Sequence, residues 1–239
     1  MTMHAPLRIL LSLLTLLFAI PALAGSFTVA PTRVELAPER HTAGLTVENR
    51  GGEPVLLQVE TYAWKAREGR EVLEPDRDLL AVPPLLRLAP GERRVVRLGL
   101  RTPFPERGER AWRLFLTEIP EAAGGGARRG GVRFALRIGL PVFARAPGAA
   151  ADVLWRVEPA EGGLSIEARN AGDAHIRILG LALDLGGRRV PVSGEPDYLL
   201  PGEVAVWRVR TPVPATGTPA LVVTTPGGER RVALAAASR

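Results

Sequence analysis

The sequence predicts an all-β protein built from two immunoglobulin-like β-sandwiches. Short segments in which apolar and polar residues alternate recur along the chain, and glycine and proline turns separate them. Beyond the N-terminal segment, no window carries apolar residues at helical spacing over three turns. About seven such strands precede residue 147 and a similar set follows it, which is typical of two sandwiches of this class.

The N-terminal segment has the features of a secretory signal peptide. Arg8 precedes an apolar run over residues 9–20, and the small residues 22–24 (Ala-Leu-Ala) follow it. The run is shorter than the roughly 20 residues that a membrane-spanning helix needs. We therefore expect residues 1–24 to be removed and the remaining chain to be exported to the periplasm.

Composition restricts the stabilising interactions and the partners. The chain has no cysteine, so an exported protein of this kind depends on its apolar core and not on disulfides. The net charge is +6, and Lys65 is the only lysine among many arginines. Because these charges are dispersed and do not form runs, we expect no nucleic-acid partner.

Residues 25–147 are expected to form the first sandwich. Pro31 marks an edge strand near its start, because proline cannot donate to a central ladder. Residues 45–49 and 55–64 flank a turn at residues 50–54, and this arrangement predicts that the two segments pair as a hairpin.

A linker is predicted at residues 146–150, where small and turn-forming residues cluster. We place a domain boundary near residue 147, so that residues 148–239 form the second sandwich. Seven apolar segments in this half read as strands. They are VLWRVE, LSIEARN, IRILGLALDL, RRVPV, VAVWRVR, ALVVTT and RRVALAA.

The clearest strand pattern lies at residues 132–145. Four apolar residues recur at a spacing of two and would share one face of an extended strand. This set, here called the donor row, consists of Val132, Phe134, Leu136 and Ile138. One interpretation is an interior strand of the first sandwich. The other is a strand whose apolar face is lent to a partner protein.

Several motifs occur together in an order that points to a known family. They are PTRVEL, VENRGGEPVLLQVETYAW, AVPPLLRLAPGERRVVRL, ERAWRLFLTEIP, the strand ending in LPVFAR and, in the second half, EARNAGDAHIRILGL. Together they resemble the periplasmic pilus chaperones of the chaperone/usher pathway, in a divergent or archaic-like branch. The resemblance implies a boomerang-shaped pair of immunoglobulin-like domains with no enzymatic activity and no cofactor.

The resemblance also implies a mechanism. Pilus or fimbrial subunits lack their final strand, and the chaperone fills the resulting apolar groove with a strand of its own before delivery to an outer-membrane usher. By this resemblance the donor row supplies the inserted side chains. An exposed strand edge of this kind also makes self-association of the unbound chaperone possible.

A basic anchor for the subunit's terminal carboxylate is the second implied feature. Arg33 matches the cleft arginine of the family, and a guanidinium binds a carboxylate through two hydrogen bonds. Pro141 stands where the family's usual second cation, a lysine, is expected. Arg113 and Arg137 are the candidates to replace it.

An ionic contact between the two domains is the third implied feature. Arg145 and Glu109 match the positions that the family uses on the first domain. No acidic partner stands at residues 215–218 of the second domain, where the resemblance places one. The partner of Arg145 and Glu109 is therefore left open by the sequence.

Chemistry of other kinds has little support. His41 and His175 fall in polar, turn-like segments, so we expect both to be solvated and neither to bind a metal. Two alternatives stay open: an exported binding module for carbohydrate or protein, and an enzyme with a dispersed site. The first would require aromatic residues in loops. The four tryptophans instead fall in strand patterns that predict core burial, at Trp64, Trp112, Trp155 and Trp207.

Overall fold

The computed structural model describes residues 27–120, 135–193, 197–211 and 220–233. These ranges contain strands, turns and bends but no helix, so the expected all-β class is confirmed. No helix capable of spanning a membrane occurs in them. The signal-peptide prediction concerns residues outside the described ranges.

The first half forms two sheets around one core. Its strands are β1 (Phe27–Ala30), β2 (Val34–Leu36), β3 (Thr42–Asn49), β4 (Val55–Arg67), β5 (Arg70–Pro75), β6 (Leu79–Val82), β7 (Leu85–Leu88), β8 (Arg93–Leu100), β9 (Glu109–Glu118) and β10 (Arg137–Arg145). One sheet has the order β1-β3-β8-β6, and the other has the order β2-β10-β9-β4-β5 with β7 also paired to β4. The expected edge strand at Pro31 is divided, because β1 and β2 lie on either side of this proline at the ends of different sheets.

The predicted hairpin between residues 45–49 and 55–64 is wrong. β3 pairs with β1 and β8, whereas β4 pairs with β9, β5 and β7 in the opposite sheet. The five-residue connection crosses from one sheet to the other. Alternation alone could not reveal this, because both segments bury one face whether they pair with each other or pack across the core.

The second half repeats the sandwich with smaller sheets. Its strands are β11 (Val153–Ala160), β12 (Gly163–Asn170), β13 (Ile176–Ile178), β14 (Gly180–Leu185), β15 (Arg188–Ser193), β16 (Asp197–Leu199), β17 (Val204–Val209), β18 (Ala220–Thr225) and β19 (Gly228–Ala233). They are ordered β11-β12-β17, β13-β16 and β15-β14-β18-β19. The segment IRILGLALDL, predicted as one strand, is two: β13 and β14 pair with different neighbours. A domain boundary near residue 147 stays a prediction.

Each half has its own apolar core, and a third cluster joins the halves. The first core includes Trp112, and Trp155 and Trp207 are partly buried against the second. Trp64 is buried as predicted, but not in the first core: it packs with Phe143 and with Leu200 of the second half. These three residues, with Tyr198 and His175, are called the junction cluster below.

A buried asparagine organises the same turn in each half. Asn49 ends β3 and its side-chain amide donates to the carbonyls of Glu53 and Leu88, at 2.8 and 3.1 Å. Asn170 ends β12 and donates in the same way to the carbonyls of Ala174 and Leu199, at 2.8 and 3.0 Å. The second asparagine thereby fixes the turn that carries His175 to the junction cluster.

Candidate functional site in the cleft between the halves

Three sequence-predicted positions form one row across the second sheet of the first half. Pro141 of β10 lies opposite Arg113 of β9, and Arg33 immediately precedes Val34, which pairs with Val142. Val34 and Val142 belong to the first core, so their neighbours Arg33 and Pro141 lie on the outer face. Arg33, Pro141 and Arg113 are called the cleft row.

The cleft row faces the second half. Arg33 forms an ion pair with Glu35, interacts with the Tyr198 side chain and lies 5.9 Å from the centre of the Phe143 ring. Burial alone would lower the pKa of the Arg33 guanidinium, but its interactions with the Glu35 carboxylate and the Tyr198 side chain outweigh that effect and raise the pKa. Arg33 is therefore a permanent cation turned toward the bend between the halves.

Arg113 supplies a second cation beside Pro141. Its guanidinium lies over the Trp64 ring at 3.6 Å, and 5.9 Å from the centre of the Tyr198 ring. Its Nε is 4.0 Å from a carboxylate oxygen of Glu71. Stacking on an aromatic face holds the planar guanidinium in place.

Arg137 lies farther from the row. It is four residues from Pro141 along β10, about 13 Å at the usual rise of a strand. Its guanidinium stacks on the Phe115 ring at 4.0 Å. The Phe115 ring covers Gly139, where an added Cβ would meet the ring at 2.8 Å. Of the two candidates for the second cation, Arg113 is the one that the structure brings next to Arg33.

The donor row is described only in part. Val132 and Phe134 lie outside the described residues. Leu136 and Ile138 are partly buried and pack against the first core, and the backbone of Leu136 accepts a hydrogen bond from Glu118 N at 2.9 Å. Leu140 continues the same face and is buried. On this face Leu140 is therefore fully buried, whereas Ile138 and Leu136 are only partly buried.

One edge of β10 carries a short partner. β9 pairs with the whole of β10, whereas β2 pairs in parallel with residues 142–144 alone. In the described ranges, no strand pairs with residues 137–141 on the edge that faces away from β9. Among the described residues, this edge therefore has the character of an unpaired strand edge.

Glu109 joins the two halves. It bonds Arg145, as the resemblance implies, and also His175, for which the sequence did not indicate this role. Arg145 Nε donates to Glu109 Oε2 at 2.8 Å, as the pairing of β9 with β10 permits. His175 of the second half donates to Glu109 Oε1 from its backbone N, at 3.1 Å, and from Nδ1, at 2.7 Å. Arg145 Nη2 also donates to the His175 carbonyl at 3.3 Å.

His175 corrects the prediction of a solvated histidine. Its side chain is 3% exposed, and its ring stacks on Phe143 with the centres 3.6 Å apart. The partner that the sequence left open is not an acidic residue but a histidine, which the Asn170 turn carries to Glu109. Residues 215–218 lie outside the described ranges.

The electrostatics of Glu109 follow from this enclosure. Burial by itself would raise the pKa of the Glu109 carboxyl. The hydrogen bond and charge of His175 and the hydrogen bond from Arg145 outweigh that effect and hold the pKa below its ordinary value. Glu109 is therefore an ionised, buried carboxylate that the two halves share.

The described residues contain no group of three or more histidine, cysteine or carboxylate side chains placed to hold a metal ion. What they contain is a pair of arginines in an aromatic-lined cleft between two sandwiches, beside a strand with a free edge. This combination offers backbone hydrogen-bonding groups along a strand edge and cations near the end of that edge. The chain belongs to the pili and flagellar-assembly chaperone family, because residues 26–149 match the family's PapD N-terminal domain.

Solved structures of this class share the whole architecture. A chain in the chaperone–tip adhesion subunit complex CsuC–CsuE, from the archaic Csu pili of Acinetobacter baumannii, is 16% identical with a TM-score of 0.66, covering 88% of this chain and 98% of that one. The CupB2 chaperone of Pseudomonas aeruginosa is 20% identical with a TM-score of 0.60, covering 87% and 100%. A chain of the SafA pilin–SafB chaperone complex of Salmonella enterica is 19% identical with a TM-score of 0.59, and the match covers 88% of this chain and 96% of that one. No curated protein sequence matches the chain.

Proposed function

We propose that this chain is a non-enzymatic periplasmic chaperone that holds pilus subunits by donating a strand and delivers them to an outer-membrane usher. The observation that carries the proposal is the free edge of β10 at residues 137–141, which begins next to the cleft row. Two of the similar structures are chaperone–subunit complexes, which supports the same partner class.

The side chains of the donor row supply the apolar part of the interaction. Leu136 and Ile138 are only partly buried in the unbound chain, so a subunit groove can remove more of their surface from water. Complete burial of such a side chain is worth about 1.5–3 kcal/mol. With Val132 and Phe134 in the same alternation, the row contributes several times this amount before the cost of association.

The cleft row sets the register of the bound subunit strand against β10. A subunit strand that runs along the free edge of β10 ends near Pro141, where Arg33 and Arg113 lie on either side. Two guanidinium groups at this point fit the terminal carboxylate of the subunit through charge-assisted hydrogen bonds. Arg113 thus takes the place of the family's lysine from the neighbouring strand, and Arg137 is a less suitable candidate because of its distance.

The shape of the cleft depends on contacts among Glu109, Arg145 and His175. The halves meet through a shared carboxylate, a histidine stacked on Phe143 and a backbone hydrogen bond of 3.0 Å from Val204 N to the Gly69 carbonyl. We propose that these contacts fix the angle at which the second half faces the cleft row.

Co-expression with a cognate pilus subunit tests the proposal. Phe134→Asp and Arg33→Ala are expected to abolish recovery of a soluble complex from the periplasm. The matched controls are Leu154→Asp and Arg156→Ala in the second half, because both side chains are exposed. Unchanged recovery with Phe134→Asp and Arg33→Ala would refute strand donation with a cleft anchor.

A further inference from the structure

Arg177 of the second half faces the same cleft as the cleft row. It lies in β13 between Ile176 and Ile178, which pack in the second core, so its side chain leaves the opposite face of the strand. Its partner across the ladder is Tyr198 of β16. Directly opposed residues share a face, and Arg177 is therefore on the side of the sheet that Tyr198 presents to the first half.

Tyr198 lies among three cations. Its side chain interacts with Arg33, and the centre of its ring is 5.9 Å from the guanidinium carbon of Arg113 and 5.5 Å from that of Arg177. The ring is also 5.6 Å from the Trp64 and Phe143 rings, which fixes its place in the junction cluster. Arg177 thus approaches the site of the cleft row from the second half.

The charge of Arg177 is the least compensated of the three. Arg33 has Glu35 as its ion-pair partner, and Arg113 has Glu71 within 4.0 Å. Within the part of the chain that the structure describes, no carboxylate lies within ion-pair distance of Arg177, and its Nε is buried without a hydrogen-bond partner. A buried donor of this kind is costly unless a ligand satisfies it.

We propose that Arg177 is a third cation of the anion site, so that a bound carboxylate contacts both halves of the chaperone. The proposal rests on the proposed function, because the ligand is the C-terminal segment of a bound subunit. The carboxylate has two sources within that segment: the chain terminus or an acidic side chain next to it. Either would satisfy Arg177 and would couple subunit capture to the relative position of the halves.

Fluorescence anisotropy with labelled decapeptides of alternating valine and serine tests the proposal. One pair of peptides differs only in a free or an amidated C-terminus, and a second amidated pair carries Asp or Asn as its last residue. The proteins compared are the wild type, Arg33→Ala, Arg177→Gln and Arg177→Lys, with Arg156→Gln as an exposed control. Melting temperatures of all variants are measured in parallel.

In one of the two peptide pairs, Arg177→Gln should weaken binding of the peptide that carries the carboxylate about tenfold. Binding of its neutral counterpart, the amide or the Asn peptide, should not change. Arg177→Lys should retain most of the preference for the acid, because the charge remains. If Arg33→Ala removes the preference and Arg177→Gln leaves it intact, the cleft anchor stands and the role of Arg177 is refuted. If the wild type shows no preference for either acid, the cleft anchor of the proposed function fails, and this inference fails with it.

Discussion

Arg113 lies directly opposite Pro141 across the ladder of β9 and β10, on the face of the sheet that the second half covers. We therefore expect a cation supplied from β9 to serve the role that a lysine at position 141 would serve from β10. This relationship predicts a rescue. Arg113→Gln should lower recovery of a co-expressed subunit about tenfold, because a charge-assisted hydrogen bond to its carboxylate is lost. Adding Pro141→Lys should restore most of the recovery.

The control for this rescue is Pro141→Lys in the wild-type background, which should recover the subunit as well as the wild type does. Quantitative affinity purification of the periplasmic complex provides the measurement. A double variant that recovers no more subunit than Arg113→Gln alone would show that the two positions do not serve one site.

The shared carboxylate Glu109 predicts a pH dependence of stability. Its pKa in the folded protein lies below the ordinary 4.5, so the folded state binds fewer protons there than the unfolded state does near that pH. The stabilisation is present above pH 4.5 and is lost as the pH falls through the lower, folded-state value. Urea denaturation followed by tryptophan fluorescence should show this loss in the wild type.

Glu109→Gln removes the titrating group and should flatten the acid limb of the stability curve, with lower stability at neutral pH. A mutant curve parallel to that of the wild type below pH 4.5 would exclude Glu109 as the source. Exposed Glu158→Gln is the matched control and should leave the acid limb in place.

His175 is predicted to stabilise the junction. His175→Ala removes a hydrogen bond to a buried carboxylate and a stacked ring, which together are worth about 2–4 kcal/mol. His41→Ala, at an exposed position, should cost about 0.5 kcal/mol or less. Both values come from urea denaturation at neutral pH. Equal small effects of the two changes would place His175 outside the interaction that joins the halves.

Gly139 and Phe115 should behave as a coupled pair. A Cβ at position 139 would meet the Phe115 ring at 2.8 Å, so Gly139→Ala forces the ring to move and should cost about 1–3 kcal/mol. In Phe115→Leu the same substitution should cost less, and the difference is the coupling energy of a double-mutant cycle. Additive effects in urea denaturation would mean that the ring does not depend on the absence of a side chain at Gly139.

Much of the fold could be predicted from the sequence, because alternation and turn residues act locally. The all-β class and most strand positions follow from such signals. The pairing partners of β3 and of β4 do not follow from local signals. Which sheet a half-buried strand joins depends on contacts that are distant in sequence. For the same reason IRILGLALDL was predicted as one strand, although its two parts join different sheets.

The candidate site divides in a similar way. Arg33, Arg113, Arg145 and Glu109 could be proposed because they lie in motifs of the first half. His175 could not, because its burial depends on the Asn170 turn and on Phe143 of the other half. The repeated Asn-x-Gly at residues 49–51 and 170–172 was the available signal, since each places a buried asparagine at a strand end.

Hydrogen exchange at the backbone amides of residues 135–140 tests strand donation most directly. The unbound chaperone and its purified complex with a pilus subunit are compared by mass spectrometry, with β11 as an internal reference. We expect the complex to slow exchange in residues 135–140 by at least about tenfold, because an added strand accepts hydrogen bonds from the amides on the free edge, and to leave β11 unchanged. Unchanged exchange at residues 135–140 in a stable complex would contradict the account.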